Sequence, residues 1–192
     1  MKFRPIAAAV ISTTLAVAPT LASAWDLAAE DSVVSFGSIK NDFVGEAHTF
    51  SGLSGSVGND GAVNVSIDLT TLNTNIDIRN ERMAEHVFAG AASAEISANV
   101  DLAEIKKLRP GQSMQMEIDA TMMLLGNEVD VFLDAYILRV SPSRVMVSTN
   151  TASYLSTEDL GVNAGIDVLQ GLANLDSITR VTPVTLRLMF DR

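Results

Sequence analysis

From Met114 to Leu124 every second residue is apolar: Met114, Met116, Ile118, Ala120, Met122 and Leu124. Gln115, Glu117, Asp119 and Thr121 stand between them, with Met123 the one exception. Strand side chains alternate between faces, so this segment is a long strand with one dry and one wet face. A helix would scatter the same apolar residues over opposite sides and could not bury them together. Gly126-Asn127 turns the chain, and Val129, Val131, Leu133, Ala135 and Ile137 return with the same alternation. A chain built around such a hairpin must place further strands where their dry faces share one interior.

The remaining sequence supplies them. Ala62 to Leu69 alternates with Val63, Val65, Ile67 and Leu69 apolar. Ser32–Ile39 carries Val34 and Phe36 on one face, and Phe43–Phe50 is a second strand after Asn41-Asp42. Asn59-Asp60-Gly61 is a hairpin turn pairing Ser54–Val57 with the strand from Ala62. Ala94–Val100, Val145–Thr149 and Val181–Phe190 complete the set. Glycines 52, 55, 58 and 61 could suggest a phosphate-cradling loop, but a strand follows them, not a helix, so they belong to a twisted hairpin. Asp101 caps a short helix, Leu102–Leu108, that Pro110-Gly111 ends. Asn163–Leu175 carries Ile166, Leu169, Leu172 and Leu175 three apart, a helix interrupted by Gly165 and Gly171. Thr71–Asn75 and Thr151–Asp159 are polar and turn-like, and Ile76–His86 is a charged connection. Roughly eight strands joined by hairpins give an all-β fold, an antiparallel barrel or closed sandwich with one or two short helices. Eight strands leave just enough interior for one small ligand, and periodicity leaves open whether that interior is filled.

The chain begins with Lys2 and Arg4, an apolar run from Ile6 to Leu21, and Ala22-Ser23-Ala24. These are the three parts of a cleaved signal peptide, residues 1–24, for export to the periplasm. The run contains Ser12, Thr13, Thr14 and Pro19, and it is short for a spanning helix, which needs about 20 apolar residues. The mature chain, 25–192, is expected to be one domain with no membrane-spanning helix. It carries 11 basic against 23 acidic residues, a formal charge of −12. Such a surface repels nucleic acid. With no cysteine, disulfides and thiolate chemistry are excluded.

The segment after the Ala62 strand carries a resemblance. Thr74-Asn75, Arg79-Asn80-x-Arg82-Met83 and Phe88 are similar to the turn, the Arg-Asp-x-His-Leu run and the aromatic pair of the YceI-like family. Thr74, Asn75, Arg79 and Phe88 fit; Asn80 replaces the acid, Arg82 the histidine, Met83 the leucine and Ala89 the second aromatic. Weaker echoes run from Phe36, Phe50 and Gly55 through Leu125-Gly126 to Asp159-Leu160-Gly161. The resemblance implies a divergent member of a family of periplasmic, lipocalin-like polyisoprenoid-binding proteins. It implies an open barrel with an elongated apolar cavity, and an isoprenoid lipid, a polyprenyl phosphate or an isoprenoid quinone, as partner. No cofactor beyond that ligand is required.

The candidate lining is Val65, Ile67, Phe88, Met114, Met116, Ile118, Met122, Val131, Leu133, Leu186 and Leu188. Methionine is flexible and polarisable, and suits a pliable apolar chain, although taken by itself ordinary core filling explains it better. Arg79, with Glu81 and Arg82 nearby, is the candidate for the polar end of the ligand, because arginine offers a bidentate fork to phosphate. A structural salt bridge is the other reading of Arg79. His48 and His86 are too few for a metal cage and read as surface or loop residues. No Gly-x-Ser-x-Gly elbow or metal signature appears. Three function classes follow: a carrier of an isoprenoid lipid, a cyclase or isomerase acting on one, and a filled barrel with a protein partner. The inward strand faces as read hold no ionisable group, which favours the carrier.

Overall fold

The computed structural model describes residues 23–192. The signal-peptide reading falls on residues 1–22, outside that range, and on the first two residues of the opening strand. Among the described residues, twelve strands form one sheet: β1 Ser23–Leu27, β2 Val33–Lys40, β3 Val44–Phe50, β4 Leu53–Gly58, β5 Ala62–Asp68, β6 Leu72–Asn73, β7 Ser93–Asn99, β8 Ser113–Leu124, β9 Asn127–Ser141, β10 Arg144–Thr149, β11 Ser153–Ser156 and β12 Val181–Asp191. Neighbours run β1-β4-β5-β7-β8-β9-β10-β12, and β12 pairs back onto β1, which closes the barrel.

The barrel has eight walls although twelve strands are present. Trp25 lies opposite Val57 and Val34 opposite Phe50, so β1 and β2 run beside β4 and β3 as one interrupted hairpin. The long β12 serves both halves: Leu188 to Asp191 lies against β10 and β1, while Val184 to Leu186 lies against β2. Closure removes the free edges that a sheet of this size would otherwise expose.

The expected helix after Asp101 forms at the lower end of the barrel, and two further helices sit at the upper end. In chain order the helices are α1 Asp77–Arg82, α2 Leu102–Lys107 and α3 Asn163–Leu172. The Asp101 carboxylate accepts from the Ala103 and Glu104 amides at 2.9 and 3.4 Å, and α2 buries Leu102 and Ile105. At this lower end the Arg139 and Arg192 guanidinium carbons lie 4.7 and 4.9 Å from the Trp25 ring centroid.

Two connections differ from expectation. Ile76–His86 is not a loop: α1 leads into a π turn, Met83–Val87, in which the Phe88 amide donates to the Met83 carbonyl at 2.9 Å. The extra residue in that turn lets adjacent Val87 and Phe88 both be buried. Five charged residues hid a helical segment whose fully buried hydrophobic side chains are only Met83, Val87 and Phe88. Thr151–Asp159 contains β11, which pairs with the first residues of β12 and buries Leu155. Gly165 does not interrupt α3. It is buried inside the helix, where an added Cβ would stand 2.2 Å from the His86 carbonyl oxygen, so only glycine lets α3 approach the π turn this closely. No helix among the described residues is long and apolar enough to cross a membrane.

Candidate functional site

The strands' dry faces do not fill the barrel. A cavity of about 440 Å³ occupies its upper half, within the range of small-molecule sites. Phe36, Phe50, Ile67, Phe88, Met122, Val131 and Leu155 are among the residues that line it, joined by Ile166 and Leu169 of α3. Phe36 stacks on Phe50 at 5.4 Å, and Phe88 meets Phe50 edge-on at 5.9 Å. Ile76 and Ile78, 44% and 50% exposed, also line the cavity, so it reaches the surface beside α1. A second cavity of about 90 Å³ lies below, with Trp25, Val65, Ile118 and Leu188 in its wall and no charged residue.

The charged lining belongs to the upper cavity: Lys40, Glu46, Arg79 and Arg82. The α1 segment is folded on itself to deliver the arginines. The Asn80 side-chain oxygen accepts from the Thr74 amide at 2.9 Å and from its hydroxyl at 2.6 Å. Arg79 donates to the Thr74 carbonyl at 2.6 Å and to Glu46 Oε2 at 2.7 Å, while Lys40 reaches Glu46 Oε1 at 3.0 Å. Arg79 Nε is buried with no partner. Burial opposes ionisation of Glu46, but the Lys40 hydrogen bond and the Arg79 charge outweigh it and hold the carboxyl below its ordinary value. Arg82 is half-buried and lines the cavity, and its side chain makes neither hydrogen bond nor ion pair among the described residues. Its guanidinium therefore has its donors left for an acceptor brought by a ligand.

His48 also lines the cavity and is 3% exposed. Its Nε2 lies 3.1 Å from Ser38 Oγ, its ring is 5.0 Å from Phe36, and Nδ1 is buried without a partner. Burial pushes its pKa down, and the Arg79 charge adds to the effect. The imidazole therefore stands as a neutral hydrogen-bonding group in the wall.

No family model matches this sequence, and a search of curated proteins finds no match. Solved structures do match. The Campylobacter jejuni YceI protein has a TM-score of 0.55 at 13% identity over 76% of this chain and 84% of that one, a likeness of fold alone. Burkholderia cenocepacia BcnA, likewise similar in fold, has a TM-score of 0.63 at 13% identity over 85% of this chain and 99% of its own. A polyisoprenoid binding domain from Saccharophagus degradans, implicated in plant cell wall breakdown, is 33% identical over 88% of this chain and 99% of that one, with a TM-score of 0.85. This chain belongs to the YceI-like family.

Within this YceI-like barrel the sequence-derived candidates separate by height. Ile67, Arg79, Phe88, Met122 and Val131 line the upper cavity. Val65, Ile118 and Leu188 line the lower one, and Leu133 and Leu186 border both. Met114 and Met116 line neither; they share the inward face of β8 but pack, half-buried, against the core beyond the cavities. Glu81 is exposed and lines neither cavity. Two readings are corrected. His48 is not a surface residue, and the inward faces do hold ionisable groups, Lys40 on β2 with Glu46 and His48 on β3. Their signal was present: Glu46 and His48 stand four and two residues before Phe50, on the same face of the strand.

Proposed function

We propose that this protein is an exported, periplasmic carrier of an isoprenoid lipid. The hydrocarbon lies in the barrel and the head group, a phosphate or a quinone, sits at the mouth beside Arg82. The observation that carries this reading is the cavity of about 440 Å³, apolar along its walls and charged at one end. An amphipathic chain fits such a gradient. Burying one five-carbon unit contributes about 3–4 kcal/mol gross at ~0.8 kcal/mol per carbon, and ordering the chain offsets much of it. The 33% identical relative supports the ligand class, being a polyisoprenoid binding domain. Export is supported by the leader pattern from Lys2 to Ala24.

Organic extraction of protein purified from its native membrane-free fraction, followed by mass spectrometry, tests the ligand. An isoprenoid mass is expected; an empty barrel or a straight-chain lipid counts against the reading. N-terminal sequencing of the exported protein should begin at Trp25, and an intact Met1 there would reject cleavage.

Glu46 and His48 in the cavity wall favour a second reading, an enzyme acting on the same class of ligand as a cyclase or isomerase. Glu46 is held by Lys40 and Arg79 and does not stand free as a base, while His48 is held at Nε2 by Ser38 and keeps Nδ1 for a ligand. Incubation with isoprenoids and analysis of the recovered chains separates the readings: a carrier returns them unchanged.

A further inference from the structure

The two cavities share four lining residues: Val34, Ile96, Leu133 and Leu186. They come from four strands, β2, β7, β9 and β12. Val34 and Leu186 lie directly opposite each other in the β2–β12 ladder. In the closed ring β7 stands four strands from β12, so Ile96 faces Leu186 from across the barrel. The four side chains thus form a collar that divides one interior into two chambers. Below it no exposed residue lines the wall, and α2 and Trp25 close the floor. A chain entering from the charged mouth can reach the lower chamber only through this collar.

We infer that the collar of Val34, Ile96, Leu133 and Leu186 sets the length of apolar chain that the barrel accepts, by stopping its far end above the lower chamber. This rests on the proposed lipid-carrier function and adds to it a length limit. The lower cavity, about 90 Å³, is small beside the upper one of about 440 Å³, so it adds room for only a short further length of chain. Opening the collar should therefore lengthen the accepted chain by that short step. Side chains of this size occur along the whole barrel, and it is their shared height between the two cavities that makes these four a barrier. That is why alternation alone does not reveal it.

The protein carries its own reporter. Its single tryptophan, Trp25, lines the lower chamber. The test uses delipidated protein and a series of unbranched isoprenols from two to six units, with affinity and Trp25 emission measured together. In the unaltered protein, affinity should rise with each unit up to a limit, while Trp25 emission stays unchanged. In Leu133→Ala/Leu186→Ala the next longer isoprenol should bind at least tenfold tighter than the one at the original limit, and Trp25 emission should now shift. The milder Ile96→Val/Leu133→Val should move the limit in the same direction and guards against loss of fold in the first variant. Adding Ala98→Leu, which fills the lower chamber, should return the opened protein to the original limit. An unchanged limit in opened variants that fold and bind would overturn the inference while leaving the carrier reading intact, as would a full Trp25 shift in the unaltered protein. Failure of every isoprenol to bind the unaltered protein would remove the carrier reading itself, and the collar's role with it.

Discussion

Replacing Arg79 and Arg82 separately with alanine should split stability from ligand recognition. Arg79 makes two charge-assisted bonds, to Glu46 at 2.7 Å and to the Thr74 carbonyl at 2.6 Å, with its side chain 22% exposed. Each such bond contributes about 1.5–3 kcal/mol when well shielded, and partial exposure together with the desolvation of the guanidinium reduces the sum. Glu46 keeps Lys40 after the change, so it is not left a lone buried charge. A loss of about 2 kcal/mol follows, which in a domain of this size lowers Tm by roughly 4–8 °C. Arg82 has no partner to lose, so Arg82→Ala should leave Tm within about 1 °C. Binding should behave in reverse. Arg82→Ala should weaken an isoprenyl phosphate about ten- to a hundredfold, the equivalent of one charge-assisted bond, and leave the matching isoprenol unaffected. Arg79→Ala should weaken both ligands alike, through its effect on the fold around Thr74. Thermal unfolding beside titration with the paired ligands decides it. Equal losses of phosphate and alcohol in Arg82→Ala would refute the assignment of Arg82 to the head group.

Three further outcomes are expected. His48 is held below its ordinary value of 6.5, so the unfolded imidazole takes up a proton that the folded one resists, and stability should fall as pH drops below 6.5. Glu46, held below 4.5, adds a second loss as pH falls through its folded value; His48→Gln should flatten the first step and keep the second in urea midpoints measured against pH. Gly165→Ala places a methyl 2.2 Å from the His86 carbonyl oxygen and should cost about 2 kcal/mol or more while displacing Ile166 and Leu169 from the cavity wall; an unchanged unfolding midpoint would contradict the close approach. Met122→Trp should reduce ligand retained per folded molecule, and Met116→Trp should not, because only Met122 reaches the cavity.

The barrel was legible because period-two alternation is a local property. β8 and β9 run within two residues of their expected starts, and the Asn59-Asp60-Gly61 turn joins β4 to β5 as its residues require. What escaped were the segments whose partners lie far away. β11 is four residues long with only Leu155 buried, and its pairing with β12 makes it a strand. The α1–π segment has too few apolar residues to announce a helix, and its fold depends on Asn80 capturing Thr74 and Arg79 reaching Glu46, 33 residues earlier. The family motif fell on this segment, and the structure shows why these positions act together. Asn80, standing where the resemblance expects an acid, still supplies an acceptor to Thr74.

The cavity was harder to see for a geometric reason. Alternation reports which way a side chain points and not how high it sits in the barrel. β8 rises about 3.4 Å per residue, so Met114 and Leu124 stand roughly 34 Å apart along one strand while sharing its inward face. No cavity of this size spans that distance, and the inward row of β8 is accordingly divided: Met122 and Leu124 above, Ile118 and Ala120 below, Met114 and Met116 beyond both. The same reasoning applies to β3, whose inward row passes from Phe50 through His48 to Glu46, from an aromatic wall to an ion pair within four residues. That step from apolar to charged along one face gives the cavity its direction. A ligand of the proposed kind would present its polar end to Arg82 and its apolar end to the collar, and on that reading head-group recognition and chain length lie at opposite ends of one chamber and should vary independently under mutation.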